Sequence, residues 1–274
     1  MSTNILVVKN ILITGGTSGL GLELVKLFLS EGSEVYVTGR NPKGLPLQNS
    51  KLHFIAVDFS DLKAVSEIIN KFAGQSIKFD ILVNNAGILS PPVYTTTNDS
   101  FEYTFQVNFL SHLLIDEMII RNKTDSAPLT VVSVTSPVYK YVKPDFRMSD
   151  INRYRSFKVY AESKLYLLLI GEYLCSKYPE KRLRFIGYDP GTFSSGIYRM
   201  QKKWFQVLYK IAAPFMRSPA KVAKALYQIL TNQIRNYDLV YDVSMRTRQI
   251  PYSNTAEAGE LLNFCEQNLA RFLS

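Results

Sequence analysis

Apolar residues recur along the chain with two different periods, and the two alternate. Runs of aliphatic and β-branched residues at 10–14, 35–38, 52–57, 79–83, 129–134 and 183–188 have the unbroken apolar character of strands covered on both faces. Between them the period is helical. In 20–30, Leu20, Leu24, Leu27 and Phe28 share one face, and Glu31-Gly32-Ser33 ends the pattern. Further helices are predicted over 62–72, 100–121, 157–177, 203–215 and 219–233, a last strand over 239–243 and a closing helix over 256–272. Residues 5–8 read as an extended arm or an extra strand, and 41–50 as a Pro/Gly/Asn loop.

Strand and helix alternate without a linker, an internal repeat or a low-complexity tract. That order predicts one α/β domain over residues 1–274, a doubly wound parallel sheet of Rossmann type with helices on both faces. Hydrophobic content of 46% and charged content of 20% are ordinary for a globular chain of 274 residues.

Net charge is +9, but Lys and Arg are dispersed, with a mild excess in 140–158 and 199–217. No basic run or RNA-binding signature appears, so a nucleic-acid partner is not expected. Cys175 and Cys265 lie far apart with no motif and read as buried, reduced thiols. His53 and His112 have no ligand-spaced neighbours, so no metal is expected. Residues 1–8 lack a charged leader and a small-residue cleavage site, and the longest apolar run, 165–170, is too short to span a bilayer. The expected location is cytoplasmic, with peripheral membrane contact left open.

Two features change this picture from fold to chemistry. The loop Thr14-Gly15-Gly16-Thr17-Ser18-Gly19-Leu20-Gly21 joins the first strand to the first helix. Glycines there let the backbone turn and approach a pyrophosphate, which the helix N-terminus stabilises. The spacing differs from GxGxxG, and it lacks the Gly-Lys-Ser/Thr ending of a P-loop. At the end of the second strand stands Thr38-Gly39-Arg40-Asn41, with no acid to favour NAD; an arginine there suits a 2′-phosphate, so NADP(H) is expected over NAD(H). Asp58, followed by Phe59, ends the third strand and could reach an adenine amino group or cap the next helix.

The second feature is Tyr160-Ala161-Glu162-Ser163-Lys164, which on a helix sets a phenol and an ammonium one turn apart on one face. A lysine charge about 4 Å from a phenol, at an effective dielectric of about 20, favours the phenolate by roughly 4 kcal/mol. Such a pair can move a proton on and off an oxygen near neutral pH.

In their order along the chain, TGGTSGLG (14–21), Asp58, NNAG (84–87), Asn108 in QVNFLSH, Ser136 in VVSVTS, YAESK (160–164) and Pro190-Gly191 resemble the short-chain dehydrogenase/reductase superfamily, to about residue 200. TGR (38–40), the segment 141–146 and SPAKVAKALY (218–227) look like its retinol dehydrogenase-like branch. The resemblance implies a tetrad. Tyr160 would be the general acid/base and Lys164 its charge partner and a ribose ligand. Ser136 would orient the substrate oxygen, and Asn108 would hold a water that relays protons to Lys164. The neighbouring hydroxyls Ser133 and Thr135 compete with Ser136, and the family register selects Ser136. It further implies cofactor contacts from Gly15, Thr17, Ser18, Gly19, Leu20, Gly21, Arg40, Asp58, Phe59, Asn84, Ala86, Gly87, Tyr160, Lys164, Pro190, Gly191 and Ser195. Family members often pair through the helices holding Asn108 and Tyr160, which implies a homodimer or tetramer.

Residues 193–217 are expected to cover the site. Trp204, Leu208, Ile211 and Phe215 fall within roughly 40° of one another on a helical wheel, so that segment packs on the core or the substrate pocket, or touches an anionic membrane. Tyr139, Tyr141, Phe193 and Tyr198 add aromatic character, which points to a lipophilic or aromatic carbonyl or alcohol substrate. The reading is an NADP(H)-dependent carbonyl reductase. Its rivals are an alcohol dehydrogenase run in the oxidative direction and a cofactor-binding regulatory or scaffold protein.

Overall fold

The computed structural model describes residues 9–145, 151–193, 216–231, 237–252 and 256–273. Residues 1–8, the 203–215 pattern, Tyr198 and Ser195 lie outside the described residues.

Among the described residues, eight strands form one sheet: β1 Asn10–Thr14, β2 Glu34–Gly39, β3 Leu52–Ala56, β4 Ile81–Asn84, β5 Leu129–Val134, β6 Leu183–Asp189, β7 Leu239–Asp242 and β8 Thr247–Gln249. Their order across the sheet is β3-β2-β1-β4-β5-β6-β7-β8. The first seven run parallel. β8, not foreseen, turns back antiparallel to β7 through a tight turn in which Asp242 Oδ1 accepts from the Ser244 and Arg246 amides at 2.8 and 3.1 Å. All three β8 residues are exposed, so no hydrophobic run announces the strand.

Alternate residues of the first seven strands feed two apolar layers. Leu12, Leu82, Val131, Phe185 and Val240 pack with α2 (Leu62–Gly74), α4 (Ser111–Arg121), α5 (Ser156–Lys177) and the closing helix α7 (Ala256–Leu269). Ile11, Ile13, Val35, Val37, Val83, Val132 and Ile186 pack with α1 (Gly19–Ser30) and α6 (Pro219–Thr231) on the other face. Burial on both faces is the physical reason that these strands read as continuous apolar runs.

Three expectations need correction. The helix expected over 100–121 begins at Tyr103, because Ser100 sits at φ 70° and Thr96 bridges Glu102 ahead of it. The short helix α3 (Tyr103–Phe105) then passes through a π-helical turn, Gln106–Leu110, before α4. The cap of α2 is Asp61, whose side chain accepts from the Ala64 amide, while Asp58 accepts from the Ser60 amide and hydroxyl instead. Cys175 is half-buried; only Cys265 is fully enclosed.

α5 lies close on β6 because Gly171 has no Cβ: one added there would land on the Phe185 ring.

Candidate active site

Between β1 and β4 the winding of the sheet reverses, and the crevice there lies at the carboxyl ends of both strands. The glycine loop leaves β1 and the Asn84–Gly87 turn leaves β4, and the two are in contact. Gly15, at φ 64°, would bring a Cβ within 2.8 Å of Ala86 Cα. Thr14 ties them together: its hydroxyl oxygen accepts from the Asn85 and Ala86 amides, both at 2.9 Å, and Asn85 Nδ2 donates to Thr14 O at 2.8 Å. The sequence marks Thr14 as the start of the glycine loop but not as this hub, since its partners Asn85 and Ala86 lie 71 and 72 residues away.

The loop fits an anionic ligand. Ser18 precedes α1 without a side-chain hydrogen bond, and the first turn of α1 holds no acid. A Cβ on Gly19, at φ 55°, would meet nothing within 4 Å, so the side from which a pyrophosphate would approach is open. Thr17 packs beneath Gly39, and Leu20 and Gly21 are buried behind the turn. Arg40 stands exposed just past β2, and Asp58 is exposed past β3. Phe59 is buried, and its carbonyl accepts from Ser111 Oγ at 2.7 Å and Gln106 Nε2 at 3.3 Å. Asn84 turns away from the crevice and donates to Asp116 at 2.6 Å inside the core, so the 84–87 turn offers backbone there. Gly87 faces the chemistry: a Cβ on it would stand 3.3 Å from both Asn108 Oδ1 and Lys164 Nζ.

Two bonds fasten α5 to the end of β5. Thr135 Oγ1 donates to Lys164 O at 2.8 Å, and Lys164 Nζ donates to Val134 O at 3.0 Å. Lys164 is wholly buried, and the loss of hydration lowers its pKa from 10.5 to about 8. Tyr160 lies one turn earlier on the same helix and retains 9% of its surface. Of the three hydroxyls at the end of β5, Ser133 is fully buried and Thr135 is spent on Lys164. Ser136 alone of the three is half-buried, opening the 3-10 turn Pro137–Tyr141 in extended backbone, where a substrate oxygen could reach it.

Asn108 sits in the π turn. Its Oδ1 accepts from the Ile88 amide at 2.8 Å, and its Nδ2 donates to Ile88 O at 2.9 Å and to Ser163 Oγ at 3.0 Å. Both amide protons are used, so it braces the exit of β4 against α5; a water could meet only the remaining lone pair of Oδ1. At the end of β6, Asp189 Oδ1 accepts from the Gly191 amide at 3.0 Å and Asp189 Oδ2 from Lys140 at 3.2 Å, which holds the Pro190-Gly191 turn over the crevice rim. Ser195 lies outside the described residues.

The glycine loop thus stands at the carboxyl end of β1, and Lys164 and Ser136 at that of β5, with Tyr160 one turn before Lys164 on α5. Residues 9–206 match the family model for short chain dehydrogenase. The chain belongs to the short-chain dehydrogenase family. It is an oxidoreductase of the retinol dehydrogenase-like kind: mouse retinol dehydrogenase 12 is 30% identical over 226 residues, covering 79% of this chain and 71% of that protein. Chloroplastic short-chain dehydrogenase TIC 32 A of Brassica napus is 28% identical over 208 residues, covering 69% of this chain and 65% of the relative. Among solved structures, a 3-ketoacyl-(acyl-carrier-protein) reductase from Brucella melitensis complexed with NADH superimposes with TM-score 0.65 at 21% identity, covering 86% of this chain and 96% of that one. A short chain dehydrogenase from Burkholderia cenocepacia in complex with NADP does so with TM-score 0.61 at 22% identity, over 81% and 90%. Among the described residues no group of His, Cys, Asp and Glu could hold a metal, and no helix is long and apolar enough to cross a membrane.

Proposed function

We propose that this short-chain dehydrogenase is an NADP(H)-dependent oxidoreductase acting on a lipophilic or aromatic carbonyl/alcohol pair, with Tyr160 as its general acid/base. The observation that carries the reading is the pair of bonds that fasten Lys164, one helical turn after Tyr160, to the end of β5 just before Ser136. A bound nicotinamide would supply or accept the hydride.

The chain's own residues do the rest. The open turn at Gly19 and the leading amides of α1 would hold the pyrophosphate, and Arg40 a 2′-phosphate. Ser136 would donate to the substrate oxygen and fix its direction. Tyr160 would give that oxygen its proton in reduction and take it back in oxidation. Lys164 would bind the nicotinamide ribose hydroxyls and keep positive charge under the phenol. Asn108, braced against Ile88 and Ser163, would hold a water through Oδ1 to pass protons toward Lys164.

The test is oxidation of NADPH by the purified protein with a panel of aldehydes and ketones, beside Tyr160→Phe. Expected is turnover of long-chain or aromatic aldehydes that falls at least about 100-fold in the variant, with NADPH binding retained. Binding without turnover in either protein would favour the scaffold reading, and faster turnover of a small polar ketone would overturn the lipophilic substrate class.

A further inference from the structure

His112 is the second residue of α4 and is completely buried. Its Nδ1 lies 3.0 Å from the carbonyl oxygen of Asn108, its Nε2 lies 2.9 Å from Thr14 Oγ1, and the ring meets Phe59 edge-on at 5.1 Å. These contacts decide where its proton sits. A carbonyl can only accept, so Nδ1 carries the hydrogen. Thr14 Oγ1 already accepts from the Asn85 and Ala86 amides, both at 2.9 Å, so its lone pairs are filled and its one proton is left to give. The ring nitrogen at 2.9 Å is nearer to it than Val83 O at 3.2 Å. Burial, with the Lys164 charge nearby, drives the imidazole's pKa down to about 3, so the ring is neutral and Nε2 is free to receive that proton.

Two directed runs of hydrogen bonds meet at Asn108, one ending on its backbone carbonyl and one starting from its side-chain amide. The Asn85 and Ala86 amides donate to Thr14, Thr14 to His112, and His112 to Asn108 O. Asn108 Nδ2 donates to Ser163 Oγ at 3.0 Å, and Ser163 Oγ to Tyr160 O at 2.7 Å. The first run starts at the turn that faces the glycine loop, the second ends on the backbone of Tyr160, and the rigid Asn108 residue joins them.

We propose that His112 is a positioning residue of the enzyme: held in one neutral tautomer, it couples the 84–87 turn, where the dinucleotide would lie, to Asn108 and thereby to the helix bearing Tyr160 and Lys164. This rests on the reading that the crevice binds a pyridine dinucleotide and that Tyr160 moves the proton. His112 itself touches neither.

The two arms can be cut separately. His112→Asn keeps an N–H near the position of Nδ1 and loses the Thr14 arm. His112→Gln can accept from Thr14 but loses the Asn108 arm. Losing one buried neutral hydrogen bond corresponds to roughly tenfold in the quantity it supports. His112→Asn is therefore expected to weaken NADPH binding, read by fluorescence titration, with kcat within about threefold of wild type. His112→Gln is expected to lower kcat by roughly tenfold with NADPH affinity held. Equal losses in both quantities that track a fall in Tm would mean a structural role alone and overturn the proposal, as would wild-type values in both variants.

A readout on the unmodified protein covers the case in which neither variant folds. With only His53 and His112 in the chain, nitrogen NMR of labelled histidine resolves both rings. One should remain Nδ1-protonated and bare at Nε2 between about pH 5 and 9; an Nε2-protonated or titrating His112 overturns the proposal. If wild type binds neither NADPH nor NADH, the dinucleotide reading itself has failed, which is distinct from dinucleotide binding that is blind to both His112 variants.

Discussion

At the residue scale, Lys164 puts function against stability. Its folded pKa of about 8 lies below the ordinary 10.5, so between those values the unfolded chain holds more protons. The contribution of Lys164 to stability therefore rises as pH climbs through that window, and below about pH 8 the full cost of burying the charge is present. Lys164→Met is expected to raise Tm at pH 7, by an amount on the order of 1–3 kcal/mol in unfolding free energy, while kcat/KM falls at least about 100-fold. Calorimetry and the NADPH assay check the two halves. Asp116 is the opposite case, a carboxyl pushed up to about 8 by complete burial. Asn84 Nδ2 donates to one of its oxygens; the other oxygen and Asn84 Oδ1 are buried with no hydrogen-bond partner among the described residues. The folded state holds the extra proton between the ordinary value of 3.8 and about 8, so stability drains away as pH rises across that range, by up to about 1.4 kcal/mol per pH unit. Asp116→Asn can give and take a hydrogen bond with Asn84 at any pH. Its Tm should exceed wild type by more at pH 8 than at pH 5; an equal difference at both would exclude Asp116 as the source of the slope.

At the scale of elements, α5 does two jobs through two of its turns. Near its start it presents Tyr160 and Lys164; farther along, Gly171 lets it settle onto Phe185 of β6. Gly171→Ala would force the helix or the ring to move, which costs about 1–3 kcal/mol by overpacking and would disturb the helix that carries the site. Trimming the ring with Phe185→Leu should recover part of that loss, so the double variant should be less destabilised in denaturant than the sum of the singles; additivity would show that the two residues do not share the strain. The π turn between α3 and α4 is the other element that matters, because it carries Asn108 with its side chain engaged by both Ile88 and Ser163. For α2 the determinant is local. Asp61→Ala removes the cap and should cost about 1 kcal/mol without affecting turnover.

At the scale of the whole molecule, the reversal of winding between β1 and β4 makes one crevice into which both the glycine loop and the Asn84–Gly87 turn open. A ligand bound there to the folded state alone adds about 2.7 kcal/mol at a hundred times its Kd. NADPH should accordingly raise Tm more than NADH at equal concentration, and Arg40→Asp should reverse that order; an unchanged order would remove Arg40 from the selection of the 2′-phosphate.

Seven strand positions and most helices were legible in the sequence because burial on both faces writes unbroken apolar runs, and amphipathic helices write a 3.6-residue period. The family was legible too, since TGGTSGLG, NNAG and YAESK are local words whose order along the chain survives without a fold. What local pattern could not carry was left to tertiary structure. β8 is short and exposed, and it exists because Asp242 closes a turn against β7. The helix start at Tyr103 depends on a bridge between Thr96 and Glu102, and the π turn at Asn108 has no sequence period of its own. Among the hydroxyls at the end of β5, only packing left Ser136 accessible and consumed Thr135. The bonds that hold the site together, Thr14 to the 84–87 turn and Lys164 to Val134, join residues distant in sequence through buried polar groups. Such groups find partners only once the sheet has assembled, because an unpaired one in the interior costs more than it returns.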